Sequence, residues 1–445
     1  MKKSITRLML LFVLQSITLT LIAQENYTPS KENLAAREQF QDNKFGIFIH
    51  WGLYAMMGQG EWVMHNRDID YAEYEKLADA FYPSKFNADE WVKAIKNSGA
   101  KYICITTRHH DGFSMFHTAQ SPYNIVDATP FGRDIIKELA DACHRHGIAL
   151  HFYYSHLDWR RNDYTPLGRT GHGTHRRLDG KWESYLDFMK NQLTELLTNY
   201  GKIGAIWFDG LWDRDEEEGG MKPERWDLYT QYELIHTLQP SCLVANNHHS
   251  DIIPGEDIQI FERDIPGQNL YGYSEQAISR LPLETCQTMN KTWGYNITDS
   301  AYKSSKFLIQ YLVKTAGKGA NLLLNIGPQP NGELPEEAIK RLNEMGAWMK
   351  TYGETIYGTR GGVVPPSEWG VTTQKRKKLF VHVLEPYSTI FLPYQNNKLL
   401  KANAFVDGKP VKFNQVKEGI ILNLGKTQND TIDYVVELEF KNEIK

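Results

Sequence analysis

Two acids in this chain stand where an apolar run stops. Ile203-Gly204-Ala205-Ile206-Trp207-Phe208-Asp209-Gly210 delivers Asp209, and Asp257-Ile258-Gln259-Ile260-Phe261-Glu262 delivers Glu262. Runs of β-branched and aromatic residues read as buried strands, so each carboxylate comes to a strand's C-terminal end. The same kind of position offers His50-Trp51, Glu61-Trp62, His109-His110, Tyr154, Trp207 and His248. Imidazoles, acids and aromatic faces together suit a sugar, whose hydroxyls need hydrogen-bond partners and whose C–H face needs an aromatic wall. Two carboxylates at one site suit glycoside hydrolysis, in which one is ionised and the other holds a proton. A blander reading makes Asp209 a turn residue before Gly210. A third makes His109, His110 and Asp209 ligands of a hydrolytic metal. Against it, Phe45 to Gly52 supplies a lone His rather than a His-x-His pair, so no metal or other cofactor is expected.

These residues need strands to carry them, and the chain supplies strands in alternation with helices. Lys44–Gly52, Tyr102–Thr107, Ile148–Tyr154 and the Asp209 run are each separated by a helical segment, which means a parallel sheet. Cys242–Asn247 and Asp257–Glu262 continue the series with only a Gly/Pro-containing loop between them, so one crossover helix is missing there. Glu284–Met289 and Asn321–Gly327 complete eight strands. The expected fold is therefore an α/β (β/α)8-type barrel, somewhat irregular after strand five, closed by a helix from Pro335 to about Tyr352. From 356 the texture changes to short alternating runs such as Leu379-Phe380-Val381-His382-Val383, the pattern of an all-β sandwich. The expected division is 24–355 for the barrel and 356–445 for the sandwich.

Residues 1–23 combine Lys2, Lys3 and Arg7 with an apolar stretch ending at Ala23, as a secretory signal peptide does. Their removal would take the formal charge from −4 to −7 and place the protein outside the cytoplasm, secreted or periplasmic. The apolar stretch is too short and too interrupted by Gln15, Ser16, Thr18 and Thr20 for a membrane span. No basic stripe points to nucleic acid. Cys104, Cys143, Cys242 and Cys286 have neither zinc nor disulfide-framework spacing and read as buried thiols.

Several of these stretches together resemble one known family. Phe45-Gly46-Ile47-Phe48-Ile49-His50-Trp51-Gly52, Thr107-Arg108-His109-His110-Asp111-Gly112-Phe113, Tyr153-Tyr154-Ser155, Trp207-Phe208-Asp209-Gly210, Trp293-Gly294-Tyr295 and Asn321-Leu322-Leu323-Leu324-Asn325-Ile326-Gly327-Pro328 are similar to the family 29 glycoside hydrolases, the retaining α-L-fucosidases. The resemblance covers about residues 35–360 and implies an exo-acting enzyme that releases terminal fucose from fucosylated glycans. It implies Asp209 as nucleophile, with His50, Glu61, Trp62, His109, His110, Tyr154 and Trp207 around the fucose. For the acid/base it leaves Glu262, Glu284, Glu256 and Asp257, of which Glu262 is favoured because it closes a strand as Asp209 does. Where some members carry Arg after strand five, this chain has Asn246-Asn247-His248-His249, and His248 is taken as the sugar contact. Another retaining exo-glycosidase, or a fucose-binding protein without catalysis, remains the alternative.

Overall fold

The structure is a computed structural model that describes residues 27–214, 220–425 and 431–444. The expected signal peptide lies outside the described residues. Among those residues no helix is long and apolar enough to cross a membrane.

Eight parallel strands form one sheet in the order β5-β4-β3-β2-β1-β8-β7-β6. They are β1 (Phe45–Ile49), β2 (Tyr102–Arg108), β3 (Ala149–Ser155), β4 (Ala205–Asp209), β5 (Leu243–Asn247), β6 (Gln259–Glu262), β7 (Leu283–Thr288) and β8 (Ala320–Ile326). The two ends of the sheet meet at a single bridge, Ala245 to Ile258, so the barrel is nearly closed. No helix links β5 to β6, as expected, and none links β6 to β7.

The helices begin where the sequence places capping side chains. Helix α1 (Lys31–Asn43) starts with Ser30 accepting from Asn33 N, and α2 (Ala88–Asn97) with Asn87 accepting from Glu90 N. Helix α3 (Ile135–His146) starts with Asp134 accepting from Lys137 N and stops at Gly147, whose φ of 67° closes the last turn. Helices α4 (Trp182–Asn199), α5 (Leu228–Leu238), α6 (Ser305–Gly317) and α7 (Glu336–Tyr352) complete the outer layer.

Side-chain alternation along the strands separates two cores. Ile47, Ile103, Phe152, Phe208 and Val244 point outward to the helices. Phe48, Tyr102, Tyr153, Trp207 and Cys286 point into the lumen, and Phe40 of α1 joins them from below. Lumen rings pack on one another: Trp207 stacks on Tyr153 at 5.5 Å and meets Phe48 edge-on at 5.1 Å. Each such pair contributes about 0.5–1.5 kcal/mol beyond the area it buries, and here it also fixes the ring planes beneath the strand ends.

The antiparallel part has strands β9 (Arg360–Gly361), β10 (Gly370–Lys375), β11 (Lys378–Val383), β12 (Thr389–Leu392), β13 (Leu399–Ala404), β14 (Lys412–Val416), β15 (Gly419–Asn423) and β16 (Tyr434–Phe440). They form a five-stranded sheet, β13-β16-β11-β10-β9, and a three-stranded sheet, β12-β15-β14. Leu379, Val381, Leu392, Ile420, Leu422 and Leu438 fill one core between them. The barrel holds this unit through Gln310 of α6, whose amide donates to Leu384 O at 3.1 Å and Ile432 O at 2.9 Å. All four cysteines are buried free thiols.

Candidate active site

The C-terminal ends of the strands surround a cavity of about 600 Å³, a size that suits a small ligand. Its floor is the top of the lumen core, Phe48, Tyr153, Trp207 and Cys286; its walls include His50, Glu61, Trp62, His109, His110, Trp212 and Trp293. Asp209 and Glu262 both line it.

The two carboxylates share one amide. Asn247 Nδ2 donates to Glu262 Oε2 at 2.9 Å and approaches Asp209 Oδ1 at 3.3 Å. Strand register explains the pairing, because Asp209 lies opposite Asn247 between β4 and β5. Asp209 also accepts from Tyr153 Oη at 2.9 Å and Trp212 Nε1 at 3.1 Å. Burial, followed by the charge of Glu262, pushes Asp209 up to about 6. Burial likewise raises Glu262, against the opposing pull of the Asn247 hydrogen bond and the Arg263 charge. The site therefore favours one proton shared across the two acids above the ordinary carboxylate range.

The imidazoles are held neutral, with their orientation set from behind. Burial lowers His50 to about 3, and its Nδ1 lies 2.7 Å from Asn325 Oδ1, whose amide nitrogen is committed to Trp293 O. A neutral His50 thus donates from Nδ1 and leaves Nε2 as an acceptor. His110 repeats the arrangement: Nδ1 faces Ser155 Oγ at 2.7 Å, and Ser155 Oγ itself donates to Leu157 O. Burial first, and the crowding of the imidazoles against one another next, depress His109 and His110 well below the ordinary range, with the Arg108 charge adding to the effect on His110. Glu61 accepts the Gly294 amide at 2.7 Å, and burial raises its pKa. Trp62 lies parallel to Trp212 at 5.9 Å. Beneath the β2 and β3 ends, fully buried Arg108 pairs with Asp158 at 3.1 Å and donates to Ser155 O at 3.1 Å. Removing one partner of such a buried pair costs about 3–5 kcal/mol.

Two expected contacts lie elsewhere. Tyr154 points outward from β3, donates to Gln192 Oε1 at 2.8 Å and sits under the Arg108 guanidinium; alternation gives the inward place to Tyr153, which pairs in register with Trp207. His248 turns away to Glu256 at 2.9 Å. His249 enters the cavity instead, carried there by a left-handed backbone of φ 60°. Its Nδ1 is 3.1 Å from Tyr273 O and so donates, which leaves Nε2 facing Glu262 Oε2 at 3.5 Å. Arg263, also at φ 60°, lines the mouth beside Glu262. Sequence reasoning missed Tyr153, Asn247, His249, Arg263 and Trp212. Strand phase could have found Tyr153 and Asn247, since residues two apart share a face with Asp209's neighbours. Of the other acids, Glu284 lies lower in the lumen, where Tyr102 Oη and Trp207 Nε1 donate to its two oxygens at 2.5 and 2.9 Å. Glu256 faces Tyr232 and His248, and Asp257 faces Arg37 and His236, all outside the cavity.

Comparison with known proteins gives one consistent answer. The family profile described as α-L-fucosidase matches residues 14–354. The plasma α-L-fucosidase of Rattus norvegicus is 30% identical over 441 residues, covering 90% of this chain and 90% of the relative. Among solved structures, α-L-fucosidase isoenzyme 1 from Paenibacillus thiaminolyticus is similar at 33% identity and a TM-score of 0.81, covering 93% of this chain and all of that one. A family 29 α-L-fucosidase from Bacteroides thetaiotaomicron, solved as a trapped covalent intermediate with 2-fluoro-fucosyl fluoride, is similar at 25% identity and a TM-score of 0.78, covering 94% and 98%. A barrel with two acids at its strand ends, followed by antiparallel β-sheets and matched along most of its length by such enzymes, belongs to the α-L-fucosidase family of glycoside hydrolases, family 29.

Proposed function

We propose that this protein is an exo-acting α-L-fucosidase that releases terminal α-linked L-fucose from glycans with retention of configuration. The observation that carries the stereochemistry is the shared amide of Asn247. Its two contacts, 2.9 and 3.3 Å, bound the gap between the nearest oxygens of Asp209 and Glu262. Two carboxyls that reach one amide are close neighbours, an arrangement that accommodates the ~5–5.5 Å separation of a retaining pair.

Donor counts divide the roles. Asp209 has Tyr153, Trp212 and Asn247 to stabilise its charge and acts as the nucleophile. Glu262 accepts from the Asn247 amide, fewer donors than hold the charge of Asp209, and acts as the general acid. In the first step Asp209 attacks C1, the C1–O bond breaks, and Glu262 protonates the departing oxygen. In the second, Glu262 takes a proton from water, water attacks C1, and the β-linked fucosyl-Asp209 ester releases α-L-fucose. His50, His109, His110 and Glu61 face the hydroxyls, while Phe48, Trp207 and Trp293 offer apolar surface to the C–H face and the C5 methyl. The trapped intermediate of the Bacteroides relative supports the covalent route.

The test is proton NMR of fucosyl fluoride hydrolysis: α-L-fucose as the first-formed anomer is expected, and β-L-fucose would reject retention. Residues 1–23 act in this reading as an export signal, to be checked by the intact mass of the protein from its native host, expected to begin at Gln24.

A further inference from the structure

The loop between β6 and β7 carries a burden of exposed apolar residues that the fold does not require. Leu270, Tyr271, Tyr273 and Ile278 are 78%, 48%, 47% and 50% exposed within this one connection. Water-facing aromatics grouped in this way mark a contact surface. The loop sits at the mouth of the pocket, since Tyr271 and Tyr273 also line it.

The surface is tied to the acid from which the leaving group departs. Tyr273 O takes the His249 Nδ1 hydrogen at 3.1 Å, the two rings lie 5.3 Å apart, and His249 Nε2 is 3.5 Å from Glu262 Oε2. On the other flank, Arg263 follows Glu262 directly and lies over the rings of Trp293 at 5.3 Å and Tyr271 at 5.9 Å. Arg263 Nη2 donates to Lys291 O, while Nε has no hydrogen-bond partner among the described residues. A group attached to the oxygen that Glu262 protonates must emerge between these residues. Two half-exposed phenol rings beside a guanidinium match a pyranose, with C–H faces for the rings and hydroxyls for the donors.

Resting on the fucosidase reading, we propose that Tyr271 and Tyr273 form the leaving-group subsite, built for a sugar ring as aglycone. Binding energy from the second sugar is thereby used in the transition state at C1.

The test compares the full chain with a Tyr271→Ala/Tyr273→Ala variant on two substrates: 2′-fucosyllactose, and α-L-fucosyl fluoride, whose leaving group has no ring. The ratio of kcat/KM for the trisaccharide to kcat/KM for the fluoride is expected to fall about tenfold or more. Tyr271→Phe/Tyr273→Phe, which keeps the rings, is expected to restore it. Free lactose is expected to inhibit fluoride hydrolysis more weakly in the alanine variant than in the parent. An unchanged ratio overturns the proposal, whether both rates fall together or neither falls. Loss of an oligomer by light scattering, with the ratio unchanged, would assign the patch to a contact between copies and overturn it equally. Absence of fluoride hydrolysis by the parent protein would instead remove the fucosidase reading itself.

Discussion

One barrel lumen holds buried acids in two different settings. Glu284 is 1% exposed with both oxygens bonded by Tyr102 and Trp207, and burial lifts its pKa to about 7. Asp209 and Glu262 stand a layer higher, at the strand ends, and line a cavity. A raised pKa thus does not separate a catalytic carboxyl from a structural one. Access does: Glu284 lies below the cavity and does not line it, whereas Asp209 and Glu262 do.

The sharpest way to break this comparison is Asp209→Gly. Loss of the nucleophile is expected to lower kcat by about 10⁴-fold or more, with azide restoring part of the rate on an activated fucoside and yielding the β-azide. An unaltered kcat would move the nucleophile elsewhere. Next in size is Glu262→Ala, expected to cost about 10²–10⁴-fold on a fucosyl oligosaccharide. It should cost far less on fucosyl fluoride, with azide now giving the α-azide. The same leaving-group dependence at Glu284 would reverse the assignment.

Glu284→Gln is expected to depress both substrates alike and only several-fold. Its clearer signature is in stability. A carboxyl whose folded pKa is raised keeps its proton in the fold while the unfolded chain loses it, so folding weakens as pH climbs from about 4.5 toward 7. Melting temperatures at pH 5 and pH 8 should therefore show the variant gaining on the parent at the higher pH. A pH-independent difference would mean that Glu284 titrates normally.

The smallest effects come from two adjacent tyrosines. Activity needs ionised Asp209, so kcat/KM should fall as pH drops through about 6. Tyr153→Phe removes a donor to that carboxylate and should move this limb upward. Tyr154→Phe should leave the limb in place and cost about 1 kcal/mol of stability through its bond to Gln192. A shift with Tyr154→Phe and none with Tyr153→Phe would contradict the strand phase.

That pair also marks how far the sequence could be read. Asp209, Glu262 and the eight-strand order were legible, because apolar runs that end in an acid carry a local signal. Tyr153 was legible in principle, since Trp207 and Asp209 fix the inward phase of β4, but phase between neighbouring strands depends on register, a long-range property. His249 was not legible: whether it or His248 turns inward depends on a left-handed backbone after β5 that a non-glycine residue adopts only under tertiary constraint. The loop carrying Tyr271 and Tyr273 has no periodicity, and its place at the pocket mouth follows from the absent helix between β6 and β7.

The central claim is that Asp209, and no other buried acid, forms the covalent bond to the sugar. It is tested most directly by incubating the protein with 2-fluoro-fucosyl fluoride and mapping the adduct by mass spectrometry of peptides. The result expected is one 2-fluoro-fucosyl group on the peptide containing Asp209, with inactivation in step with labelling. Labelling of Glu262 or Glu284, or turnover of the reagent with no adduct and with inversion at C1, would contradict the account.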